Sequence, residues 1–589
     1  MKRRLTLRFL GVLSCLLAGS HAFADNEPLF PTDVAVNSAG HVIMSEKGMK
    51  RVAVYSSDGH ELERCYALSD VPTGLAVTAD RIYVTTFGVE GRLHAIDLKA
   101  GSEIFSVYTG SGACSPVVNE AKGCVYVCNQ FQNTVSEVEM SSGRVLRNVK
   151  VLREPVSAVV DKDGKYLFVV NFLPDQRADA EYVAGSVSVI DLATFEKVKD
   201  IGLANGSNAL HDICMSPDGR YAYVSHNLGR YTVPTSQLHQ GWMNTSAFSV
   251  IDTAEKTCLG TVLVDEPERG AAGVWGIDCD NEYISVAHSG THEVSLIRQK
   301  EMLERFLACE DKAMLDYDLT FLYGIRKRVS LEGNGPRAIC LSEGCLYAPT
   351  YFADVLNMVD VRTCDITAVD LNPGRQENDI HKGEKYFNDA SNCFQGWQSC
   401  NGCHPGDGRE DGMNWDLMND GVGNPKNCKS LLFSHVTPPS MISGIRASAE
   451  WAVRAGFKFI QFFDVSEKVA ACVDAYLKSL EPVASPYLVD GELSPKARRG
   501  EVVYNELGCG TCHGGEYYTD RKMYRIGEDV EFENGWDTPT LRECWRTAPY
   551  LFDGRAATMM EVFEVHRHGI DRKVPKKDLE ALTEYVNSL

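Results

Sequence analysis

A short unit recurs about every 40 residues between residues 30 and 375, and this repeat constrains the fold more than any other feature. Each unit contains an apolar strand, a turn, an aromatic-rich strand and a strand of the type Val-x-Val/Ile-Asp. Such alternation between Asp-Gly turns is typical of β-meanders. Because ring closure leaves only short, protected edge strands, the repeat predicts a seven-bladed β-propeller over residues 25–375. The units begin near Asp33, Pro72, Cys114, Pro155, Leu210, Val274 and Pro336.

The amino-acid sequence of the fifth unit agrees with this fold. Ser216–Ser225 reads SPDGRYAYVS, which resembles the YVTN family of β-propellers. A β-helix or a β-sandwich is the alternative, but the repeat length fits propeller blades better. Long insertions at Pro174–Gly185, Leu228–Ala247 and Lys300–Arg328 should lie on one face of the ring, where loops often carry function.

Two CxxCH motifs follow the propeller region, at Cys400–His404 and Cys509–His513. In such a motif two thiols one turn apart bind the vinyl groups of haem, and the adjacent histidine ligates the iron. A zinc or thioredoxin-like site is the alternative, and two copies with similar flanks argue against it. The motifs therefore predict two covalently bound haem c groups. The attachment and ligand residues are Cys400, Cys403, His404, Cys509, Cys512 and His513.

The sequence around the motifs is duplicated. Gly383-Glu384 precedes the first motif and Gly500-Glu501 the second, and a Thr-Pro segment follows each one. The halves also end alike, in AYLKSL and EYVNSL, the second of which closes the chain. The duplication predicts an all-α tandem of two cytochrome c domains, at residues 376–482 and 483–589. The complete protein should thus be multidomain, with an all-β and an all-α part.

The N-terminus is typical of a secretory signal peptide over residues 1–24. Lys2, Arg3, Arg4 and Arg8 precede a short apolar core, and Ala22-Phe23-Ala24 supplies a cleavage site. We therefore expect a periplasmic or otherwise extracytoplasmic protein. No later stretch is long and apolar enough to span a membrane. Removal of four basic residues changes the net charge from −21 to −25, which disfavours nucleic acid as a partner.

Fifteen of the 20 cysteines remain when Cys15 and the four motif cysteines are set aside. In an oxidising compartment some of them should pair. Cys114, Cys124 and Cys128 are candidates, as are Cys340 and Cys345, but sequence cannot give the connectivity. Buried thiols packed as small apolar side chains are an equally good interpretation for any one of them.

The C-terminal region resembles a known enzyme family. The segments Asp537–Arg542 and Arg546–Thr558 look like the signature of dihaem bacterial cytochrome c peroxidases and MauG proteins. In that family the distal ligand of the second haem lies eight residues after the last threonine of the signature, which falls on His566. The resemblance therefore implies a bis-histidine haem. The rival residues are His568, Met523, Met559 and Met560.

The same resemblance implies two further sites. Carbonyl groups at Thr547 and Pro549 would contribute to a calcium site between the haem domains, together with an asparagine that the sequence does not locate. A tryptophan between the haems, which relays electrons, corresponds by spacing to Trp451. A core tryptophan of the first haem domain is the alternative for that residue.

The chain also departs from the family pattern. Phe552 stands where the family usually has histidine, and no histidine follows His404 at the position of the displaceable ligand. His435 or Met441 could ligate the first iron, or that position is open. The catalytic acid has no clear counterpart, and Glu450 and Glu467 are the candidates.

The leading hypothesis is a dihaem oxidoreductase of the peroxidase/MauG type that reduces peroxide or oxidises a partner protein. The propeller would dock the substrate or a redox partner such as a small cytochrome or a cupredoxin. The alternative is a non-catalytic electron-transfer cytochrome with a propeller recognition domain. A third hypothesis, an active site within the propeller, lacks any cofactor signature in residues 30–375.

Overall fold

The computed structural model describes residues 26–232, 243–417, 425–526 and 533–589. The predicted signal peptide therefore lies outside the described residues. So do residues 418–424, which cover most of the segment examined for a displaceable ligand of the first haem.

The seven-bladed β-propeller is confirmed, because seven four-stranded antiparallel sheets follow one another along the chain. Each blade consists of four consecutive strands. The strands are β1 (Pro31–Val36), β2 (Val42–Glu46), β3 (Arg51–Tyr55), β4 (Leu62–Ala67), β5 (Pro72–Val77), β6 (Arg81–Thr86), β7 (Arg92–Asp97), β8 (Ser102–Tyr108), β9 (Ala113–Asn119), β10 (Cys124–Asn129), β11 (Thr134–Glu139), β12 (Val145–Lys150), β13 (Pro155–Val160), β14 (Tyr166–Asn171), β15 (Ser186–Asp191), β16 (Glu196–Gly202), β17 (Ser207–Met215), β18 (Tyr221–Gly229), β19 (Asn244–Asp252), β20 (Thr257–Leu263), β21 (Val274–Cys279), β22 (Tyr283–His288), β23 (Glu293–Arg298), β24 (Arg326–Ser330), β25 (Cys340–Ser342), β26 (Cys345–Thr350), β27 (Val355–Asp360) and β28 (Ile366–Asp370).

Buried aspartates connect neighbouring blades at their innermost strands. The Asp33 carboxylate accepts a hydrogen bond from the backbone N–H of Leu75 in the next blade, at 2.8 Å. Asp278 accepts one from Leu341 in the same way, also at 2.8 Å. The ring closes at Asp354, whose carboxylate accepts the N–H groups of Leu29 and Phe30. Apolar side chains fill the space between the blades. This agrees with the pattern of a strand, in which successive side chains point to opposite faces of the sheet.

Helices appear in blade 6 and throughout the C-terminal region. They are α1 (Gln299–Ala308), α2 (Asp379–Asn388), α3 (Pro405–Gly408), α4 (Ala449–Phe459), α5 (Glu467–Lys478), α6 (Pro495–Glu506), α7 (Met559–Glu564) and α8 (Lys576–Asn587). Among the described residues, no helix is long and apolar enough to cross a membrane.

The duplication in the C-terminal region corresponds to two equivalent helix crossings. Helix α2 packs on α5, and α6 packs on α8. A Cβ atom at Gly383 would lie 1.9 Å from the carbonyl oxygen of Cys472, and one at Gly500 would lie 1.9 Å from that of Ala581. Only glycine permits such close contact between helices, which explains the repeated Gly-Glu pair.

The all-α prediction for residues 376–589 is not confirmed. Helices account for a minority of this region, and two short antiparallel ladders interrupt it. These are β29 (Asn414–Trp415) with β30 (Lys426–Asn427), and β31 (Met523–Tyr524) with β32 (Trp536–Asp537). Residues with left-handed backbone conformation, such as Gly406 and Gly408 after the first motif, keep the chain from continuing as a helix.

The propeller and the C-terminal region are joined by buried ion pairs. Arg153 of the propeller pairs with Glu410 and donates to the carbonyl oxygens of Arg546 and Ala548. Glu154, the next residue, accepts two hydrogen bonds from the Arg546 guanidinium at 3.3 Å each. All of these charged side chains are at most 10 % exposed. Buried charges require such pairing, so the two parts of the chain are held in a fixed arrangement.

Candidate haem sites

The first motif folds as a tight turn. Cys400–Gly402 form one 3₁₀ turn, and the backbone N–H of His404 donates to the carbonyl oxygen of Cys400 at 2.9 Å. The His404 Nδ1–H group donates to the carbonyl oxygen of Arg409 at 3.1 Å, which leaves Nε2 as the unprotonated nitrogen. Burial lowers the pKa of His404 to about 4. The imidazole is therefore neutral, as a metal ligand must be.

The second motif repeats this geometry. Cys509–Thr511 form the turn, and the His513 N–H donates to the carbonyl oxygen of Cys509 at 3.0 Å. His513 Nδ1 lies 3.3 Å from the carbonyl oxygen of Tyr518 and 3.2 Å from that of Pro539. Burial lowers the pKa of His513 as well. In both motifs a backbone carbonyl fixes the tautomer and leaves Nε2 for a metal, so the residues present fit covalently attached haem.

A second histidine faces His513. The ring of His568 has its centroid 6.2 Å from that of His513. With metal–nitrogen distances of about 2.0 Å, two imidazoles on opposite sides of one metal ion have centroids roughly 6.3 Å apart. The pair therefore matches the span of a bis-histidine haem. Spacing in the sequence predicts His566 with His568 as a rival, and the observed ring geometry favours His568.

His435, the candidate ligand of the first haem, has both ring nitrogens engaged. Nε2 lies 3.0 Å from a carboxylate oxygen of Asp474, and Nδ1 lies 3.3 Å from the Ser434 hydroxyl. Asp474 also pairs with Arg454. This arrangement is that of a buried structural histidine, so the role of His435 as a ligand stays a sequence-based prediction without support from its contacts.

The propeller reaches the first motif directly. The Asn244 side-chain amide donates to the sulphur of Cys403 at 3.3 Å, while Gln461 donates to that of Cys400 at 3.1 Å. Cys428 donates to the carbonyl oxygen of Cys403 at 3.1 Å. A haem attached here would thus contact residues of both parts of the chain.

Trp451 lies at the surface of α4 with 67 % of its area exposed, which does not fit an aromatic enclosed between two haems. Its predicted relay role stays a prediction. Other aromatic residues connect the halves instead. Trp415 packs in the apolar cluster that includes Cys403, and Phe552 stacks on Trp536 with centroids 4.3 Å apart.

Short backbone contacts complete this connection. The Asn427 N–H, in the ladder beside Trp415, donates to the carbonyl oxygen of Phe552 at 2.7 Å. Trp536 pairs with Tyr524 in the second ladder. Asp520 raises the pKa of the Tyr524 phenol to about 12, and the nearby Cys512 thiol acts in the same direction. Contacts through Asn427, Phe552, Trp536 and Tyr524 therefore connect the ladder beside Trp415 with the ladder that lies near Cys512.

An asparagine side chain lies beside the residues for which the resemblance implies a calcium site, Thr547 and Pro549. The Asn427 side-chain amide donates to the carbonyl oxygen of Pro549 at 2.6 Å, and its Oδ1 atom is buried without a hydrogen-bond partner among the described residues. Amide and carbonyl oxygens are ligands for a hard cation. Arg153 donates to the neighbouring carbonyl oxygens of Arg546 and Ala548, and the calcium site stays a prediction from the resemblance.

The fold and motifs together define a seven-bladed propeller joined to a region with two haem-attachment motifs. The gamma subunit of hydrazine synthase from Kuenenia stuttgartiensis is 25 % identical over 273 residues, which cover 36 % of this chain and 77 % of that subunit. The beta subunit of the same enzyme is 25 % identical over 185 residues, which cover 30 % of this chain and 47 % of that subunit. The chain therefore spans about half of the beta subunit.

Solved structures add the fold. A chain of Kuenenia stuttgartiensis hydrazine synthase superimposes with a TM-score of 0.52 and 20 % identity, over 60 % of this chain and 98 % of that one. No family model matches the sequence. The chain is thus similar to two subunits of a multi-subunit enzyme. None of these matches is a peroxidase or a MauG protein, so that resemblance stays a prediction.

Proposed function

We propose that this protein is an exported dihaem c-type cytochrome that works as the redox subunit of a multi-subunit oxidoreductase similar to hydrazine synthase. The observation that carries the proposal is the equivalent geometry of His404 and His513, each neutral, each with Nδ1 beside a backbone carbonyl oxygen, and each next to two cysteines. A haem bound at either motif supplies an iron that changes its oxidation state by one electron.

The second motif would serve electron transfer. His513 and His568 would hold its haem, because the distance between their rings suits two imidazole ligands of one metal ion. His404 would hold the haem of the first motif, and the contacts of His435 with Asp474 and Ser434 do not support it as a further ligand there. We assign the reaction to this first motif, where Asn244 of the propeller donates to the sulphur of Cys403.

The propeller and the haem region combine two modules in one chain. We assign the haem region to the part similar to the gamma subunit and the propeller to the part similar to the beta subunit. The propeller would then present the haem region to further subunits or to an electron carrier.

A stand-alone peroxidase or MauG-type enzyme is the second candidate. The signature segment Arg546–Thr558 and the calcium-site residue Asn427 favour it. In that case reduced holoprotein should be oxidised by hydrogen peroxide at a rate proportional to peroxide concentration.

The deciding experiment uses the full-length protein, expressed with a c-type haem maturation system. Absorption of the alkaline pyridine complex should give two haem c groups per chain, and alanine at Cys400 and Cys403 or at Cys509 and Cys512 should each remove one. Stopped-flow mixing of the reduced protein with peroxide then separates the candidates. Rapid oxidation of both haems supports the peroxidase, and slow oxidation with no turnover supports the subunit. A protein without covalent haem contradicts both.

A further inference from the structure

Two cysteines from neighbouring blades touch inside the propeller. Cys214 lies in β17, the innermost strand of blade 5, and Cys279 lies in β21, the innermost strand of blade 6. Their sulphur atoms are 3.6 Å apart, although the residues are 65 positions apart in the sequence. Nothing in the sequence spacing indicates that these two residues meet, and the pair is not among the cysteines selected from the sequence.

The register between the two strands fixes this contact. The Asp212 carboxylate accepts the backbone N–H of Ile277 at 3.1 Å. Cys214 and Cys279 each lie two residues beyond these partners, so the aspartate contact aligns them. In addition, the Cys279 thiol donates to the carbonyl oxygen of Met215 at 3.3 Å, which holds its sulphur beside β17.

The repeat supplies an internal comparison. At the junction of blades 1 and 2, Asp33 accepts the N–H of Leu75, and the residues two positions further on are Ala35 and Val77. Those side chains pack in the apolar cluster between the two blades. The fold therefore brings these two positions together, and at blades 5 and 6 both carry a thiol in place of a hydrocarbon.

We propose that Cys214 and Cys279 form a disulfide that cross-links blades 5 and 6. A disulfide requires about 2.0 Å between the sulphurs, so they must approach by roughly 1.6 Å, which rotation about the Cα–Cβ bonds can supply. The inference rests on the export of the chain that the proposed function requires, since disulfides persist in oxidising compartments.

The reaction is an exchange of disulfides. The two thiols lose two electrons and two protons, and the S–S bond forms as a disulfide of an oxidoreductase in the exporting compartment is reduced to a dithiol. The exchange precedes complete folding, because the Cys214 thiol is buried in the finished propeller and burial raises its pKa well above the usual value.

The cross-link would lie in the same two strands as a stacked aromatic pair. His211 and Trp275, which lie in β17 and β21 a few residues before the cysteines, stack with ring centroids 4.0 Å apart. The Arg337 guanidinium of blade 7 also contacts the Trp275 ring, at 4.3 Å from its centroid. A covalent link would keep blades 5 and 6 in register.

The test is peptide mapping of the haem-loaded protein without reduction, after free thiols are blocked. We expect a linked peptide pair that contains Cys214 and Cys279 and has the mass of the two peptides less two hydrogen atoms. Cys214→Ser and Cys279→Ser should each expose one additional free thiol, whereas Cys258→Ser, in the outermost strand of blade 5, should remove a free thiol. Reductant should lower the thermal midpoint of the wild type by several degrees and leave both disulfide variants unchanged.

The haem content of the same sample separates the two proposals. Covalent haem with both thiols free overturns the disulfide and leaves the proposed function intact. Absence of covalent haem overturns the proposed function, and with free thiols in that sample the disulfide fails too.

Discussion

The imidazole rings of His513 and His568 lie 6.2 Å apart, centre to centre, and are tilted by 55°. His513 belongs to the second CxxCH motif, and His568 follows the end of α7. Because a backbone carbonyl holds the Nδ1–H group of His513, its other nitrogen is the one available to iron. This ring contact supports His568 over His566 as the second ligand of the proposed site.

Replacement of His568 by alanine should therefore convert the second haem from six-coordinate low-spin to high-spin. His566→Ala is the matched control, two residues away on the same turn, and should leave the ferric spectrum unchanged. Electron paramagnetic resonance and absorption spectroscopy of the oxidised holoprotein measure the difference. A spectrum that changes only in the His566 variant would mean that His566 is the ligand, as expected from the sequence.

The two-residue difference has a local cause. Counting from Thr558 assumes that the backbone continues in one regular conformation. Helix α7 instead ends at Glu564, and Arg567 adopts a left-handed backbone conformation with φ of 47°. The turn redirects the chain, and His568 rather than His566 faces His513. Sequence spacing alone does not reveal such a turn, because arginine rarely adopts this conformation.

The blades were predictable because their signal is local. The continuous apolar run of β14, for example, indicates a buried strand without reference to any distant residue, and the predicted unit start at Pro155 coincides with the first residue of β13. The CxxCH motifs are local as well. Asn427, Asn244 and Arg153 could not be predicted, since each acts on a residue more than a hundred positions away and none belongs to a sequence motif.

Arg153→Met should loosen the haem region from the propeller. The change leaves Glu410 buried without its partner and removes donors to two carbonyl groups, which should cost about 3–5 kcal/mol of unfolding free energy. Arg177→Met, at a pair with Asp179 on the surface, should change it by less than about 1 kcal/mol. Denaturant unfolding followed by haem absorbance and by fluorescence measures both.

The double variant Arg153→Met/Glu410→Gln shows whether the stability lost in Arg153→Met comes from an unpaired buried charge or from a general packing defect. It should recover part of the lost stability, because no unpaired carboxylate remains. Equal losses in the single and the double variant would contradict the role of this ion pair.

Asp33→Asn should flatten the dependence of stability on pH. Burial raises the pKa of Asp33 from 3.8 to about 7, so the folded protein binds more protons than the unfolded chain between these values. The contribution of Asp33 to the free energy of unfolding should therefore be greatest below pH 4 and should fall as pH rises towards 7. Urea unfolding of both proteins between pH 4 and 8 tests the sign. Identical slopes would show that Asp33 titrates normally.

Asn427→Ala should abolish calcium binding by the holoprotein. Its Oδ1 atom is a buried oxygen without a hydrogen-bond partner on the side chain that contacts Pro549, and alanine removes it. Asn505→Ala is the control, because that side chain is exposed on α6 and donates to the carbonyl oxygen of Glu501. Isothermal titration with calcium after treatment with a chelator should give one site in the wild type and the control. Retained binding of calcium by Asn427→Ala would show that Asn427 is not part of the calcium site.

Trp536→Leu and Phe552→Leu should each slow electron transfer between the haems severalfold, because each removes one ring of the stacked pair. Phe552 is bonded to Asn427 on one side of this pair, and Trp536 is paired with Tyr524 on the other. Trp451→Leu should have no effect, since that side chain is two-thirds exposed on α4. Photolysis of carbon monoxide from the half-reduced protein measures the inter-haem rate directly, and unchanged absorption spectra verify that both haems remain intact. Slower transfer in Trp451→Leu alone would mean that Trp451 relays the electrons, as the resemblance implies. Slower transfer in the Trp536 and Phe552 variants alone would mean that the aromatic residue at position 552, where the family usually has histidine, belongs to the electron path of this protein.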